Sequence, residues 1–253
     1  MEKIIPNKGA YPNQKSKPFW RMGAPCIKWL KKPFGAALSF VLPQTCLLCR
    51  VSIAHKAGEA SLCPQCWSSL TPLSNENSHV ELMLYEEHFD KFSAPFLYNE
   101  AAGALVQKLK YNDGLHLAHF MANQMVPFVP EGIDVIVPVP LHGKRLKQRK
   151  YNQAVALIWH LSQKTGHKTN LVGLKRIRQT SSQVGQSAKI RRRQLQDAFY
   201  AEAQIFAGLN VLLVDDVCTT GSTAHWCAQA LKNAGALQIH VLTFAYVEPK
   251  LSF

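Results

Sequence analysis

The sequence predicts an α/β fold, in which a parallel sheet is flanked by helices and preceded by a small cysteine-rich module. Two observations carry this prediction. From about residue 90 onward, short apolar runs alternate with segments of helical periodicity. Continuous apolar runs between helices are typical of parallel strands that are covered on both faces. Ahead of them, two closely spaced cysteine pairs indicate a separate, smaller module.

The individual elements follow from the same periodicity. Strands are predicted at 133–139, 169–174, 210–214 and 238–244. Helices are predicted at 99–111, 114–126, 152–165, 188–196 and 222–234, the last of them ending at Gly235. In such sheets ligands bind beyond the carboxyl ends of the strands, so the residues directly after each strand are the candidates for a site.

Composition and charge limit the classes of function that are consistent with the sequence. With 253 residues, 47% of them hydrophobic and 18% charged, the chain has enough apolar material to bury a sizeable core. The net charge of +13 favours polyanionic partners, either nucleic acid or phosphorylated small molecules. The excess is concentrated in 142–193, which holds fourteen Lys and Arg and no Asp or Glu. No apolar run reaches the ~18 residues of a membrane span.

The N-terminal segment is basic and polar. Residues 1–33 are expected to form a disordered tail. Residues 28–42 have the basic start and apolar stretch of a signal peptide, but a Pro-rich polar segment precedes them and no small-residue cleavage site follows. We therefore expect a short helix at 34–42 and a cytoplasmic protein.

Four of the seven cysteines form two pairs, Cys46-Leu-Leu-Cys49 and Cys63-Pro-Gln-Cys66, separated by thirteen residues. Two such turns facing each other supply the four thiolates of a tetrahedral zinc site. The alternatives are a redox pair, which normally opens a helix after a strand, and two disulfides, which are rare in the cytoplasm. His55 and His79 are possible substitute ligands. We expect one structural zinc held by the four cysteines.

Asp215 and Asp216 follow the strand predicted at 210–214 and precede a loop of small and hydroxyl residues at the start of a helix. Backbone N–H groups of such a loop form an anion site that suits a sugar phosphate, and neighbouring carboxylates can accept from vicinal ribose hydroxyls. The alternative is a helix cap beside a solvated acid pair. A nucleotide triphosphatase is excluded, because no G-x4-G-K-[ST] loop lies upstream.

The segment VLLVDDVCTTGSTA (211–224) resembles the phosphoribosyl pyrophosphate (PRPP) signature of type I phosphoribosyltransferases. More narrowly, the chain from about 35 to 247 resembles the ComF/GntX family, which joins a four-cysteine zinc module to that domain. The other similar segments are LPQTCLLC (42–49), Cys63 and Cys66, LKYND (109–113), VPVPLHGKRLKQRKYNQ (137–153), RQTSSQ (178–183) and RRRQLQDAF (191–199). The chain departs from the family pattern at Lys150 (usually Gly), Tyr151 (usually Phe), Gln186 (usually Leu) and Gln194 (usually Asn).

The resemblance implies a type I phosphoribosyltransferase-like sheet over 89–253, after a zinc-ribbon module at 34–88. It implies that Asp215 and Asp216 are catalytic and bind the ribose. The PRPP-binding residues would be Asp215, Asp216, Val217, Cys218, Thr219, Thr220, Gly221, Ser222 and Thr223. The pyrophosphate loop would be Pro140, Leu141, His142, Gly143, Lys144 and Arg145. A lid would contain Arg178, Gln183, Arg191 and Arg192. Magnesium would accompany PRPP.

Two functions from different classes are consistent with these observations. In the first, the protein binds PRPP and transfers the phosphoribosyl group to an unidentified acceptor, in a role linked by the resemblance to DNA uptake or utilisation. In the second, it is a non-catalytic module of the competence machinery that binds single-stranded DNA or DNA-uptake proteins. The intact Asp-Asp and Thr-Thr-Gly favour ligand binding, whereas the acid-free segment 142–193 fits either function.

Overall fold

The computed structural model describes 45–53, 61–73, 89–111, 115–141, 146, 151–178 and 195–248. The predicted tail (1–33), the predicted helix at 34–42 and most of the predicted helix at 188–196 lie outside these residues. Within the described part of the chain, no helix has the length and hydropathy needed to cross a bilayer.

A parallel sheet organises the molecule, in the strand order β1-β8-β7-β3-β4, with β2 also paired to β8. Its strands are β1 (Lys91–Ser93), β2 (Phe96–Leu97), β3 (Val135–Pro138), β4 (Lys168–Thr169), β7 (Asn210–Cys218) and β8 (Gln238–Tyr246). A separate antiparallel pair is formed by β5 (Leu174–Arg176) and β6 (Phe199–Ala201). The predicted fold class is confirmed.

The described helices are α1 (Pro64–Ser68), α2 (Glu100–Tyr111), α3 (Leu115–Met125), α4 (Gln153–Thr165), α5 (Ala203–Phe206) and α6 (Ser222–Asn233). Local sequence explains their limits. Asn152 caps the start of α4, since its side chain accepts from the Ala154 N–H at 3.0 Å. The left-handed Gly166 ends that helix. On α2, Ala102, Leu105 and Leu109 recur at helical spacing and are fully buried.

Most predicted elements are confirmed. The four predicted helices within the described residues begin and end within one residue of α2, α3, α4 and α6. The predicted strand at 169–174 is wrong. The Asn170 Oδ1 accepts from the Val172 and Gly173 N–H groups, at 3.2 and 2.7 Å. This turn ends β4 and starts β5, which belongs to the other sheet.

The central sheet separates two apolar clusters. Val211 and Leu213 of β7 face the cluster that contains α6, whereas Leu212 and Val214 face the cluster that contains α2, α3 and α4. This alternation is the period of two expected of a strand buried on both faces. The second cluster also includes Cys46, Leu62, Cys63 and Leu70 from the cysteine-rich segment. That segment therefore shares the core of the larger domain.

Asn152 joins two elements, because its Nδ2 also donates to the Val139 carbonyl at the end of β3, at 3.0 Å. We expect Asn152→Ala to lower the free energy of unfolding by about 1–2 kcal/mol, since it removes both the cap and this second bond. Asn152→Ser keeps a capping hydroxyl and loses only the bond to Val139. In urea unfolding, the wild-type protein should therefore have the highest free energy of unfolding, Asn152→Ser an intermediate value and Asn152→Ala the lowest. Equal stabilities for Ser and Ala would contradict this account of the cap.

Candidate functional site

The carboxyl end of β7 leads directly into α6 through the short loop Thr219–Gly221. Gly221 has a φ of 70°, a conformation that side chains disfavour, and it precedes the first helical residue, Ser222. The Thr220 and Ser222 hydroxyl oxygens lie 2.9 Å apart. Ser222 is buried and Thr219 is exposed. The loop thus presents hydroxyls and backbone N–H groups at the N-terminus of a twelve-residue helix, where anions are favoured.

Asp215 and Asp216 are adjacent in sequence but lie on different faces of β7. The Asp216 carboxylate is on the side of α2, where it meets Lys110. Asp215 acts on the opposite side, where burial raises the pKa values of the Cys218 and Cys227 thiols and the negative charge of Asp215 adds to the rise. The Asp215 Oδ1 also accepts from the Asp216 N–H at 2.8 Å. The alternation of a strand explains this separation.

Lys110 is the site residue whose role the sequence analysis missed. Its Nζ lies 3.1 Å from the Asp216 Oδ2, and the two side chains are 19% and 9% exposed. Lys110 occupies the last turn of α2, more than a hundred residues before Asp216 in the chain. The only sequence signal was its position in LKYND (109–113), one of the segments that carry the family resemblance.

Cys218 and Val217 belong to β7 itself rather than to the loop. Burial raises the pKa of the Cys218 thiol to about 12, and Asp215 adds to this rise. The thiol therefore stays protonated at neutral pH and lies within the apolar cluster around α6. Any ligand contact from Cys218 would come from its backbone.

Part of the predicted pyrophosphate loop lies beside β7. The Val139 N–H donates to the Val214 carbonyl at 2.9 Å, so Pro140 and Leu141 follow β3 at the edge of the sheet where Asp215 follows Val214. His142, Gly143, Lys144 and Arg145 lie outside the described residues. After this loop, the Tyr151 hydroxyl donates to the Leu109 carbonyl at the end of α2.

The predicted lid is described only at its beginning. The Arg178 N–H donates to the Ala198 carbonyl at 3.4 Å, beside the antiparallel pair β5–β6. Gln183, Arg191 and Arg192 lie outside the described residues. Of the four predicted lid residues, the structure therefore describes Arg178 alone.

The four cysteines of the two C-x2-C pairs lie together. Their sulfur atoms are all within 4.8 Å of one another, and the Cys49 and Cys63 sulfurs are 3.7 Å apart. A zinc tetrahedron with Zn–S bonds of ~2.3 Å has sulfur–sulfur edges of ~3.8 Å. A disulfide needs ~2.05 Å. Among the described residues this is the one cluster of metal-ligating side chains, and its geometry supports a structural zinc.

Burial and neighbouring groups also shift the pKa values of two cysteines of the cluster. Burial raises the pKa of Cys46, but N–H groups that include those of Cys63 and Leu48 outweigh it and bring the value down to about 6. Burial and the other three cysteines raise the pKa of Cys66 to about 12. A divalent metal bound by the four sulfur atoms would stabilise their thiolate forms, and this fits a structural zinc site.

Lys108 ties the first cysteine turn to α2. Its Nζ donates to the Leu47 and Leu48 carbonyls, at 2.8 and 2.6 Å. On the other side of the module, the Trp67 ring of α1 stands edge-on to Phe96 and Phe120, at 6.3 and 6.0 Å between centroids. Polar and aromatic contacts therefore connect the cysteine module to α2, β2 and α3.

Comparison with known families agrees with this architecture. Residues 114–250, more than half of the chain, match the family described as Phosphoribosyl transferase domain. Residues 37–78 match the family described as Double zinc ribbon domain. The first match covers the chain from α3 to β8, and the second covers the four-cysteine cluster.

Curated relatives match this chain over part or most of its length. The chain is 31% identical to Competence protein F of Haemophilus influenzae, with 78% of this chain and 94% of that protein covered. It is 29% identical to DNA utilization protein YhgH of Salmonella typhimurium, covering 79% and 96%. Competence protein ComFC of Bacillus subtilis is 30% identical over 42% of this chain and 41% of that protein. With its zinc ribbon ahead of a phosphoribosyl transferase domain, the chain belongs to the ComF/GntX family.

Proposed function

We propose that this protein binds PRPP with Mg²⁺ at the carboxyl end of β7 and transfers its phosphoribosyl group. The observation that carries the proposal is the continuous segment in which two carboxylates lie near the carboxyl end of a central strand, the second of them two residues before its end, and a Thr-Thr-Gly loop leads into α6. Carboxylates suit ribose hydroxyls, and the loop with its helix N-terminus suits a phosphate. This arrangement matches the two ends of a ribose 5-phosphate.

Each part of the site has a role in this proposal. Thr219, Thr220 and Gly221, with the N–H groups that open α6, hold the 5′-phosphate. Asp215 and Asp216 accept from the ribose hydroxyls and favour positive charge that develops at C1. During transfer the bond from C1 to diphosphate breaks, and its electron pair leaves with the diphosphate. The acceptor supplies the electron pair of the new bond to C1.

Magnesium fits the donor set at this edge of the sheet. Mg²⁺ prefers hard oxygen ligands and is usually held by one or two carboxylates together with substrate phosphates. Asp215 and Asp216 are the acids there, and the Asp216 Oδ2 already faces one cation, Lys110. When bound, the metal would neutralise charge on the departing diphosphate.

A second candidate function is binding of single-stranded DNA. Two observations favour it: the names of the relatives refer to competence and DNA utilization, and the segment 142–193 has no acidic residue. In the described part of that segment, Lys175 forms an ion pair with Glu202, which lies beyond it. DNA contact would therefore depend mostly on the other basic residues.

The ligand prediction concerns the two acids. Asp215→Asn and Asp216→Asn should each weaken PRPP binding in the presence of Mg²⁺ by about 10- to 100-fold, because a charge-assisted hydrogen bond contributes ~1.5–3 kcal/mol. Isothermal titration calorimetry on the folded proteins measures the loss. Asp216→Asn should also lower the free energy of unfolding by about 1–3 kcal/mol, since it leaves Lys110 without its buried partner.

The matched control lies at the other end of β7. The Asp134 Oδ2 accepts from the Asn210 N–H at 2.8 Å, where the strand begins. Asp134→Asn should leave PRPP affinity unchanged. No PRPP binding by the wild-type protein, or equal affinities in all three variants, would reject the proposed ligand site and favour the binding-module function.

The zinc prediction concerns metal content. The purified protein should hold about one equivalent of zinc, and Cys63→Ser should lose it with a marked fall in melting temperature, because metal binding contributes directly to folding. Cys227→Ala is the control, since Cys227 is a buried thiol of α6 outside the four-cysteine cluster. Full zinc retention by Cys63→Ser would show that this cysteine is not a ligand.

The nucleic-acid prediction concerns salt. If single-stranded DNA binds through 142–193, log affinity should fall with log salt concentration at a slope near −0.7 per neutralised phosphate. Fluorescence anisotropy with a labelled oligonucleotide over a salt series measures this slope. The double variant Arg191→Glu/Arg192→Glu should reduce both affinity and slope. Binding that is independent of salt would count against contact through this segment.

A further inference from the structure

Burial of the ion pair between Lys110 and Asp216 has a large desolvation free energy. The two side chains are 19% and 9% exposed, so both charges lose most of their hydration. A buried ion pair often gains little net stability, because desolvation offsets the attraction between its charges. Lys110 is therefore poorly explained as a stabilising residue alone. Its partner is the more buried of the two acids in the proposed PRPP site.

The backbone around Lys110 is fixed by its neighbours. The side chain of Leu109 is fully buried, and its carbonyl accepts from the Tyr151 hydroxyl. Lys108 is held by the two carbonyls of the first cysteine turn. The ammonium of Lys110 is thus presented to Asp216 from an anchored helix end. Such anchoring is what positions a group accurately in a site.

The charge of PRPP makes this position significant. The ligand carries a 5′-phosphate and a diphosphate, so a pair of uncompensated carboxylates would repel it. Lys110 cancels the charge of Asp216 while leaving the second carboxylate oxygen available as an acceptor. It also holds the carboxylate in one orientation, which reduces the entropy lost when a ribose hydroxyl binds.

We infer that Lys110 is a positioning residue of the PRPP site, which orients Asp216 for a ribose hydroxyl and makes the site favour the anionic ligand over free Mg²⁺. This inference rests on the proposed function. A lysine that merely blocks Asp216 in the empty protein would have the opposite effect, because its removal would then strengthen PRPP binding. The two roles therefore predict opposite changes in PRPP affinity when Lys110 is replaced.

The test compares Lys110→Met and Lys110→Gln, which remove the charge, with Lys110→Arg, which keeps it. Calorimetry should show PRPP binding, with Mg²⁺ present, weakened by about 10- to 100-fold in Lys110→Met and Lys110→Gln. The PRPP affinity of Lys110→Arg should stay within about threefold of wild type. Binding of Mn²⁺ alone, followed by electron paramagnetic resonance as a probe for Mg²⁺, should tighten by about threefold or more in Lys110→Met and Lys110→Gln, since the two acids lose their cation.

The matched control is Lys232→Met. Lys232 also lies in the last turn of a helix, α6, and its Nζ is 2.9 Å from the Asp90 Oδ2, away from the end of β7. It should change neither PRPP nor Mn²⁺ affinity. If Lys110 had a purely structural role, Lys110→Met and Lys110→Gln would have lower melting temperatures, and the PRPP and Mn²⁺ affinities of the folded variants would be unchanged.

The outcomes separate this inference from the proposed function. If wild type binds PRPP and both neutral variants bind it equally well or more tightly, the positioning role is overturned and the PRPP site stands. If wild type does not bind PRPP, the proposed function fails and the inference fails with it. Weaker PRPP binding together with tighter Mn²⁺ binding supports the positioning role. Lys110→Gln keeps a polar side chain at this position, so it provides the test if Lys110→Met does not fold.

Discussion

The last turn of α2 is the constraint on which the site and the zinc ribbon both depend. Three consecutive residues there contact three separate segments. Lys108 donates to the first cysteine turn, the Leu109 carbonyl accepts from Tyr151, and Lys110 pairs with Asp216. Successive helical residues are rotated by ~100°, so the directions of Lys108 and Lys110 are ~160° apart around the helix axis. The helix end therefore lies between the cysteine cluster and the end of β7.

The sheet imposes the second constraint, because neighbouring residues of a strand face opposite sides. Asp216 is held on the side of α2, whereas Asp215 acts on the thiols near α6. The two carboxylates consequently have different surroundings, one beside a lysine and one beside buried, protonated sulfur. A ligand that contacts both acids reaches around the end of β7. In the proposed PRPP site, the loop before α6 and the end of α2 would therefore both lie near the ligand.

Much of this arrangement could be predicted from sequence, for identifiable reasons. Long apolar runs and amphipathic helices revealed β3, β7, β8 and four helices, because burial on one or both faces leaves a periodic pattern. The edge strands β1 and β2 were missed, since three and two residues are too short to show a period. The turn at Asn170 depends on one side-chain acceptor within an otherwise strand-like run.

The candidate site also has parts that the sequence predicted and parts that it did not. The Asp-Asp and Thr-Thr-Gly segment and the cysteine pairs were visible because their residues are contiguous or closely spaced. The partnership of Lys110 with Asp216 was not, because it joins residues from two distant elements across the core. The hydroxyl of Tyr151, at a position where the family usually has Phe, gave no sign that it would bond to α2.

The strand order also governs how this chain is assembled during synthesis. In the described residues, β8 is the last strand in sequence, yet it lies between β1 and β7 and contacts the apolar cluster shared with the cysteine module. The ribosome therefore releases the module, β1 and α2 long before the strand that completes their packing. Until then Leu62, Leu70 and Phe96 lack partners such as Phe244. Early metal capture would keep the cysteine turns together while the nascent chain waits for its final strand.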